Sequence, residues 1–250
     1  MPGTGKQAGQ AGRQTQRLNM SVQLPLAFQL PGSASLDNFI PGKNTEILYA
    51  LKQLLRSPAE PLVYISGPGQ SGKTHLASAL CQAAAAAGLS PAYLPLRELA
   101  DLPPGALQDL HQLDLICLDD IEAIAGRPEW EEAVFVLFNQ ARDSNTRLLF
   151  TADQVPALLP LGLPDLKSRL GWGVSYKLEP LTDEGKIALL LQAAEQRGLT
   201  LKQDVASYIL SRHSREISDL LAILDRLDQA SMAAQRKLTL PFVRQQLDNS

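Results

Sequence analysis

Cysteine is scarce in this 250-residue chain: Cys81 and Cys117 are the only two, too few for a disulfide framework or a cysteine-rich zinc site. Both fall in contexts that read as a helix and a buried strand, so both are expected to be inert packing residues. No apolar run approaches the ~18 residues a membrane span needs, and the N-terminus has no hydrophobic segment of the secretory kind; the expectation is a cytoplasmic protein. Histidine is rare too. His75, His111 and His213 form no metal-binding pair and no nucleophilic triad. Nor is there an excess of positive charge: 23 Lys and Arg stand against 26 Asp and Glu, a net −3. Residues 1–19 hold Lys6, Arg13 and Arg17 and no acid, so they carry +3 and the rest carries −6. An acidic body is poorly suited to binding nucleic acid through bulk electrostatics.

What is present is an ordinary globular composition, 45% apolar and 20% charged, which excludes wholesale disorder. Residues 1–22, rich in Gly and Gln, are expected to be a disordered leader, followed by a linker over 23–35. Apolar runs at Leu62–Ser66, Ala92–Leu96, Leu113–Leu118, Arg147–Thr151 and Val174–Leu178 have strand length, and helical patterns such as Thr74–Ala87 and Trp130–Arg142 lie between them. Alternating strands and helices imply a parallel sheet covered on both faces. After Pro180 only helical patterns follow. The expected organisation is an αβα domain over 36–179 and a small all-helical domain over 180–250.

The first strand runs into Gly67-Pro68-Gly69-Gln70-Ser71-Gly72-Lys73-Thr74, the G-x-x-x-x-G-K-T phosphate loop. Its glycines let backbone N–H groups curl around phosphates, Lys73 neutralises them, and Thr74 can ligate magnesium. The same letters spell Gly67-x-Gly69-x-x-Gly72, a dinucleotide fingerprint, with Glu98 beyond the second strand; a dehydrogenase therefore stays open, although it gives no reason for Lys73-Thr74. The third strand ends in Asp119-Asp120, where one carboxylate can hold magnesium through water and its neighbour can orient the attacking water. Asp120 is one methylene shorter than the glutamate many such ATPases use, so weak or no intrinsic hydrolysis is expected. Asp153 follows the fourth strand. Arg169 and Arg215, on composition alone, are solvated charges.

Leu36-Asp-Asn-Phe-Ile-Pro-Gly-Lys-Asn44, Gly-Lys-Thr-His75-Leu, Leu-Asp-Asp-Ile121, Thr-Ala-Asp153 and Lys-Ser-Arg169-Leu-Gly-Trp-Gly resemble, in order, the AAA+ module of the bacterial initiator DnaA. The likeness covers residues 36–247 and leaves out the DNA-binding domain that follows the module in DnaA, which is the layout of the DnaA-related regulators in the DnaA/Hda family. The resemblance implies an AAA+ P-loop fold with a helical lid. It places Phe39, Ile40, Pro41 and Asn44 at the adenine, and Pro68, Gly69, Gln70, Ser71, Gly72, Lys73, Thr74 and His75 around ADP or ATP. Thr74 and Asp119 would hold Mg2+, Asp120 the water. Asp153 and Arg215 would be first and second sensors, and Arg169 an arginine finger acting on a neighbouring subunit's nucleotide. Gln23, Leu24, Leu26 and Phe28 are similar to peptides that dock on the DNA polymerase III β sliding clamp. The implied partners are DnaA and the clamp, with DNA reached only through the clamp, no membrane, and self-association left open. The implied role is to stimulate hydrolysis of DnaA-bound ATP. An autonomous ATPase such as a helicase loader is the alternative.

Overall fold

A computed structural model describes residues 34–56 and 61–248; Gln23, Leu24, Leu26 and Phe28 lie outside them. Five strands, β1 (Leu62–Ser66), β2 (Pro91–Pro95), β3 (Leu115–Asp119), β4 (Arg147–Ala152) and β5 (Val174–Lys177), form one parallel sheet in the order β2-β3-β4-β1-β5. Every residue of β1 and β3 is buried, while β5 at the edge alternates between half-buried and exposed. This is why the inner strands read as continuous apolar runs rather than alternating ones. The chain leaves β1 in one direction along the sheet and later returns to place β5 on its other side. The resulting switch point opens a crevice at the carboxyl ends of the strands.

The two faces carry separate cores, as the period of two along a strand requires. Val63 and Ile65 pack with Leu115, Cys117 and Leu149 under α1 (Thr45–Arg56) and α2 (Lys73–Ala86). Tyr64, Ile116, Leu118 and Phe150 face the other way, under α3 (Leu96–Leu99), α4 (Pro128–Asp143) and α5 (Pro164–Leu170). Gly173 closes the approach of β5 to β1: a Cβ there would stand 2.5 Å from the Leu62 carbonyl oxygen.

Four helices follow the sheet, α6 (Asp183–Gln196), α7 (Gln203–Arg212), α8 (Ile217–Ala234) and α9 (Leu240–Asp248). They enclose their own cluster of Leu190, Val205, Ile209, Leu220, Leu227, Phe242 and Val243. The Thr182 hydroxyl accepts from the Gly185 N–H at 3.3 Å and starts α6, with Asp183 and Glu184 in a first turn that favours negative charge. The junction is pinned by Asn44, whose side-chain amide donates to the Glu179 carbonyl (2.9 Å) and accepts from its N–H (2.8 Å).

Some elements differ from the sequence expectation. Helix α1 was not expected, although its buried Ile47, Leu51 and Leu54 follow i, i+4, i+7 spacing. Strand β3 begins at Leu115 rather than Leu113, because a tight turn over Leu110–Gln112 immediately precedes it. Helix α8 runs on to Ala234, where Gln235 in the left-handed region (φ 51°) ends it.

Candidate nucleotide-binding site

The loop from Gly67 to Gly72 leaves β1 and enters α2 at the crevice. Gly72 stands at φ +104°, and a Cβ there would lie 3.1 Å from the Phe39 ring, so the position excludes any side chain on both counts. No side chain caps α2. Its first-turn N–H groups are thus left to an anion. Gly69 has open space in front of it. Lys73, only 6% exposed, donates to the Gly67 (2.8 Å) and Pro68 (3.0 Å) carbonyls, so its ammonium is held on the loop's own backbone. The Ser71 hydroxyl is buried without a hydrogen-bond partner. Gly69, Gln70, Gly72, Lys73, Thr74 and His75 line one side of a cleft of about 960 Å³. These features fit a polyphosphate: unfilled N–H groups, an orphaned hydroxyl and a redeployable ammonium converge on one volume.

Facing the loop, the ends of the strands supply acids. Asp119 is buried, and its two oxygens accept separately from the hydroxyls of Tyr93 (2.9 Å) and Thr151. Burial, and then the Asp119 charge, push the Tyr93 phenol far up, which keeps it a donor. The Thr151 hydroxyl in turn accepts from the Asp120 N–H at 3.0 Å. Asp120 adopts a left-handed backbone (φ 58°) that turns its carboxylate into the cleft, where Arg97 Nε donates to it at 2.9 Å. Glu122 also lines the cleft; it takes a 3.4 Å contact from Arg97 and accepts from the Asp153 N–H at 3.3 Å. Burial, with Asp120 and Asp153 beside it, raises the Glu122 carboxyl above the usual range. Thr74 and Asp119 suit a magnesium ion, one with a free hydroxyl at the cleft and the other with a carboxylate fixed in orientation.

His75 reaches the Ser35 carbonyl through Nε2 at 3.2 Å. A carbonyl only accepts, so Nε2 carries the hydrogen, and burial holds the imidazole below its ordinary value, hence neutral. Its ring lies 5.8 Å from that of Phe39. Ile40, Pro41 and Asn44 do not line the cleft, and the Asn44 amide is committed to Glu179. From the helical part, Ile217, Ser218 and Leu221 reach the cleft, and the Ser218 hydroxyl meets the Gln70 side chain at 3.2 Å. Arg215 instead pairs with Asp183 at 2.9 Å. Arg169, on the last turn of α5, is outside the cleft and stacks on Trp172. Sequence reasoning missed Tyr93, Arg97, Glu122 and Thr151. Glu122 carried a signal, three residues after Asp119 on the chain, whereas Arg97 and Tyr93 meet the acids only because β2 pairs with β3.

The comparisons with known proteins follow this geometry. The sequence model for the bacterial DnaA ATPase domain matches residues 106–177, and that for the Hda lid domain matches residues 183–247. The chain belongs to the DnaA/Hda family of AAA+ proteins. Domain III of the replication initiation protein DnaA from Thermotoga maritima superposes with a TM-score of 0.75 at 20% identity, over 88% of this chain and 98% of that one. AMPPCP-bound DnaA from Aquifex aeolicus gives 0.67 at 22% identity, over 78% of this chain and 65% of that one. The RuvB Holliday junction branch migration motor of Thermotoga maritima gives 0.66 at 18% identity, over 88% and 73%. These likenesses show the fold, and a DnaA/Hda-family AAA+ fold sets the dehydrogenase reading aside. Among the described residues no helix is long and apolar enough to cross a membrane.

Proposed function

We propose that this chain is a negative regulator of replication initiation: an AAA+ adaptor that holds ADP or ATP, docks on the sliding clamp, and supplies Arg169 to a DnaA·ATP subunit. DnaA then hydrolyses its own ATP and passes to the inactive ADP state. The observation that carries this reading is the placement of Arg169. Its guanidinium rests on an aromatic face outside its own chain's cleft and makes no salt bridge among the described residues. An arginine presented this way is free to stabilise charge developing on a phosphoryl group bound elsewhere.

In this reading Lys73 leaves the Gly67 and Pro68 carbonyls for the outer phosphates, and the backbone N–H groups at the start of α2 take the rest. Magnesium, held by Thr74 directly and by Asp119 through water, would neutralise phosphate charge. Phe39 lies beside the loop on the adenine side, Asp153 senses the outer phosphate, and Arg215 reaches the nucleotide after leaving Asp183. That exposed pair is worth only about 0–1 kcal/mol, so its release costs little. Residues 36–179 would form the nucleotide-binding body and 180–250 its lid, with Gln23, Leu24, Leu26 and Phe28 as the clamp anchors. The support is the family membership, the fit of the cleft to a polyphosphate, and the AMPPCP carried by the Aquifex relative.

The test is ADP formation from DnaA preloaded with ATP, with this protein and clamp-loaded DNA added separately and together. Stimulation that needs both supports the adaptor. ATP turnover by this protein that proceeds without DnaA, at a rate DnaA does not change, would favour an autonomous motor.

A further inference from the structure

Arg97 belongs to no motif noted in the sequence, yet it meets two of the three carboxylates in the cleft. Its side chain stands 68% exposed at the mouth, while those of Asp120 and Glu122 behind it are 20% and 15% exposed. The backbone turn at Asp120 and the bond from its N–H to Thr151 fix where its carboxylate points. Arg97 Nε then occupies Oδ2 at 2.9 Å, and Nη2 reaches Glu122 at 3.4 Å.

We propose that Arg97 is a clasp on the water-activating carboxylate of this chain's own site, a positioning residue that lets the protein hold adenine nucleotide while turning it over slowly. The inference rests on the nucleotide reading above. Hydrolysis with a divalent cation forms a bond from water oxygen to the γ-phosphorus and breaks the γ-phosphorus bond to the β,γ-bridging oxygen. That oxygen leaves on ADP, and the water's proton passes to a carboxylate oxygen. A base serves that step only with a free lone pair and an undiminished affinity for the proton. A charge-assisted bond from a guanidinium takes the lone pair and favours the ionised form. Asp120 under Arg97 is impaired on both counts. The cost of release is small, because the arginine end is solvated, so the clasp slows turnover by a modest factor and yields to salt.

Arg97→Met keeps the aliphatic stem and removes the fork. The experiment measures binding of a fluorescent ADP analogue first and single-turnover hydrolysis of Mg·ATP second, for wild type, Arg97→Met, Arg97→Gln, and each combined with Asp120→Asn. The expected result is unimpaired binding, hydrolysis faster by about threefold or more in both single variants, and loss of that gain with Asp120→Asn. Wild-type turnover should also rise between about 0.05 and about 0.5 M salt, and Arg97→Met should not follow it. Unchanged or slower hydrolysis in a nucleotide-bound Arg97→Met protein overturns the clasp, as does a gain that survives Asp120→Asn. A wild-type protein that binds no adenine nucleotide fails at the first measurement and overturns the nucleotide reading itself.

Discussion

The Arg169 guanidinium lies over the indole of Trp172, 3.9 Å from the ring centroid, with the Phe135 ring 5.8 Å away on α4. Trp172 meets Phe138 edge-on at 6.3 Å, and Phe138 stacks on Phe150 of β4 at 6.4 Å. An aromatic chain thus runs from the centre of the sheet to a charge at its border. Trp172 itself is 57% exposed, so its indole face supports the arginine more than it fills the core. A cation–π contact of this kind is worth about 0.5–2 kcal/mol. Trp172→Ala is therefore expected to cut stimulation of DnaA-bound ATP hydrolysis by roughly 3- to 30-fold, and Trp172→Phe to keep most of it. Equal loss in both variants would show that the ring does not orient Arg169.

Lys73 gives the second prediction. In Lys73→Ala the Gly67 and Pro68 carbonyls lose a donor, but the fold keeps its core, since the side chain packs no apolar cluster. Calorimetry with ADP is expected to show affinity lower by about tenfold or more, the worth of a charge-assisted phosphate contact. Full affinity in a folded variant would remove Lys73 from the site.

The clamp anchors precede the described residues, so their role is tested apart from the cleft. Replacing Gln23, Leu26 and Phe28 together by alanine is expected to abolish co-elution with the sliding clamp and leave nucleotide binding intact, because a few anchors dominate such peptide interfaces. Retained co-elution would place the docking surface elsewhere on the chain.

Glu131 supplies a stability prediction that reaches the finger. Buried on α4, its carboxylate accepts from the N–H groups of Gly126 (2.8 Å), Gly162 (3.1 Å) and Leu163 (2.6 Å). The last two lead directly into α5, which carries Arg169. Glu131→Ala strands three donors and is expected to destabilise the protein by about 3 kcal/mol, read as a lower urea midpoint. Stimulation of DnaA should fall as well. A midpoint within about 0.5 kcal/mol of wild type would mean that water replaces the carboxylate at no cost.

The sequence made visible what local chemistry decides. Strands β1 and β3 announced themselves because both faces are buried, the phosphate loop because glycine and lysine are required at fixed spacing, and the start of α6 because Thr182 caps it. Contacts between distant segments stayed hidden. Tyr93 and Arg97 reach Asp119 and Asp120 only through the pairing of β2 with β3, in which Pro95 lies opposite Asp119. Asn44 reads as an adenine-side residue in the motif, yet its amide is spent on Glu179, 135 positions away. Arg215 falls at the expected place on the chain, but its local partner is Asp183. Patterning supplies elements and motifs, and the sheet order decides which side chains share a site.

The central claim is that Arg169 acts on a nucleotide held by another subunit. Its direct test is single-turnover ADP formation on DnaA preloaded with ATP, with clamp on DNA and either wild-type or Arg169→Ala protein added. A finger supplied in trans is worth about 10³- to 10⁵-fold in phosphoryl transfer, and lysine lacks the planar fork that bridges two phosphate oxygens. Arg169→Ala should therefore keep its fold, nucleotide and clamp binding and lose stimulation, with Arg169→Lys recovering little of it. Full stimulation by a folded, clamp-bound Arg169→Ala protein would contradict the trans-acting finger.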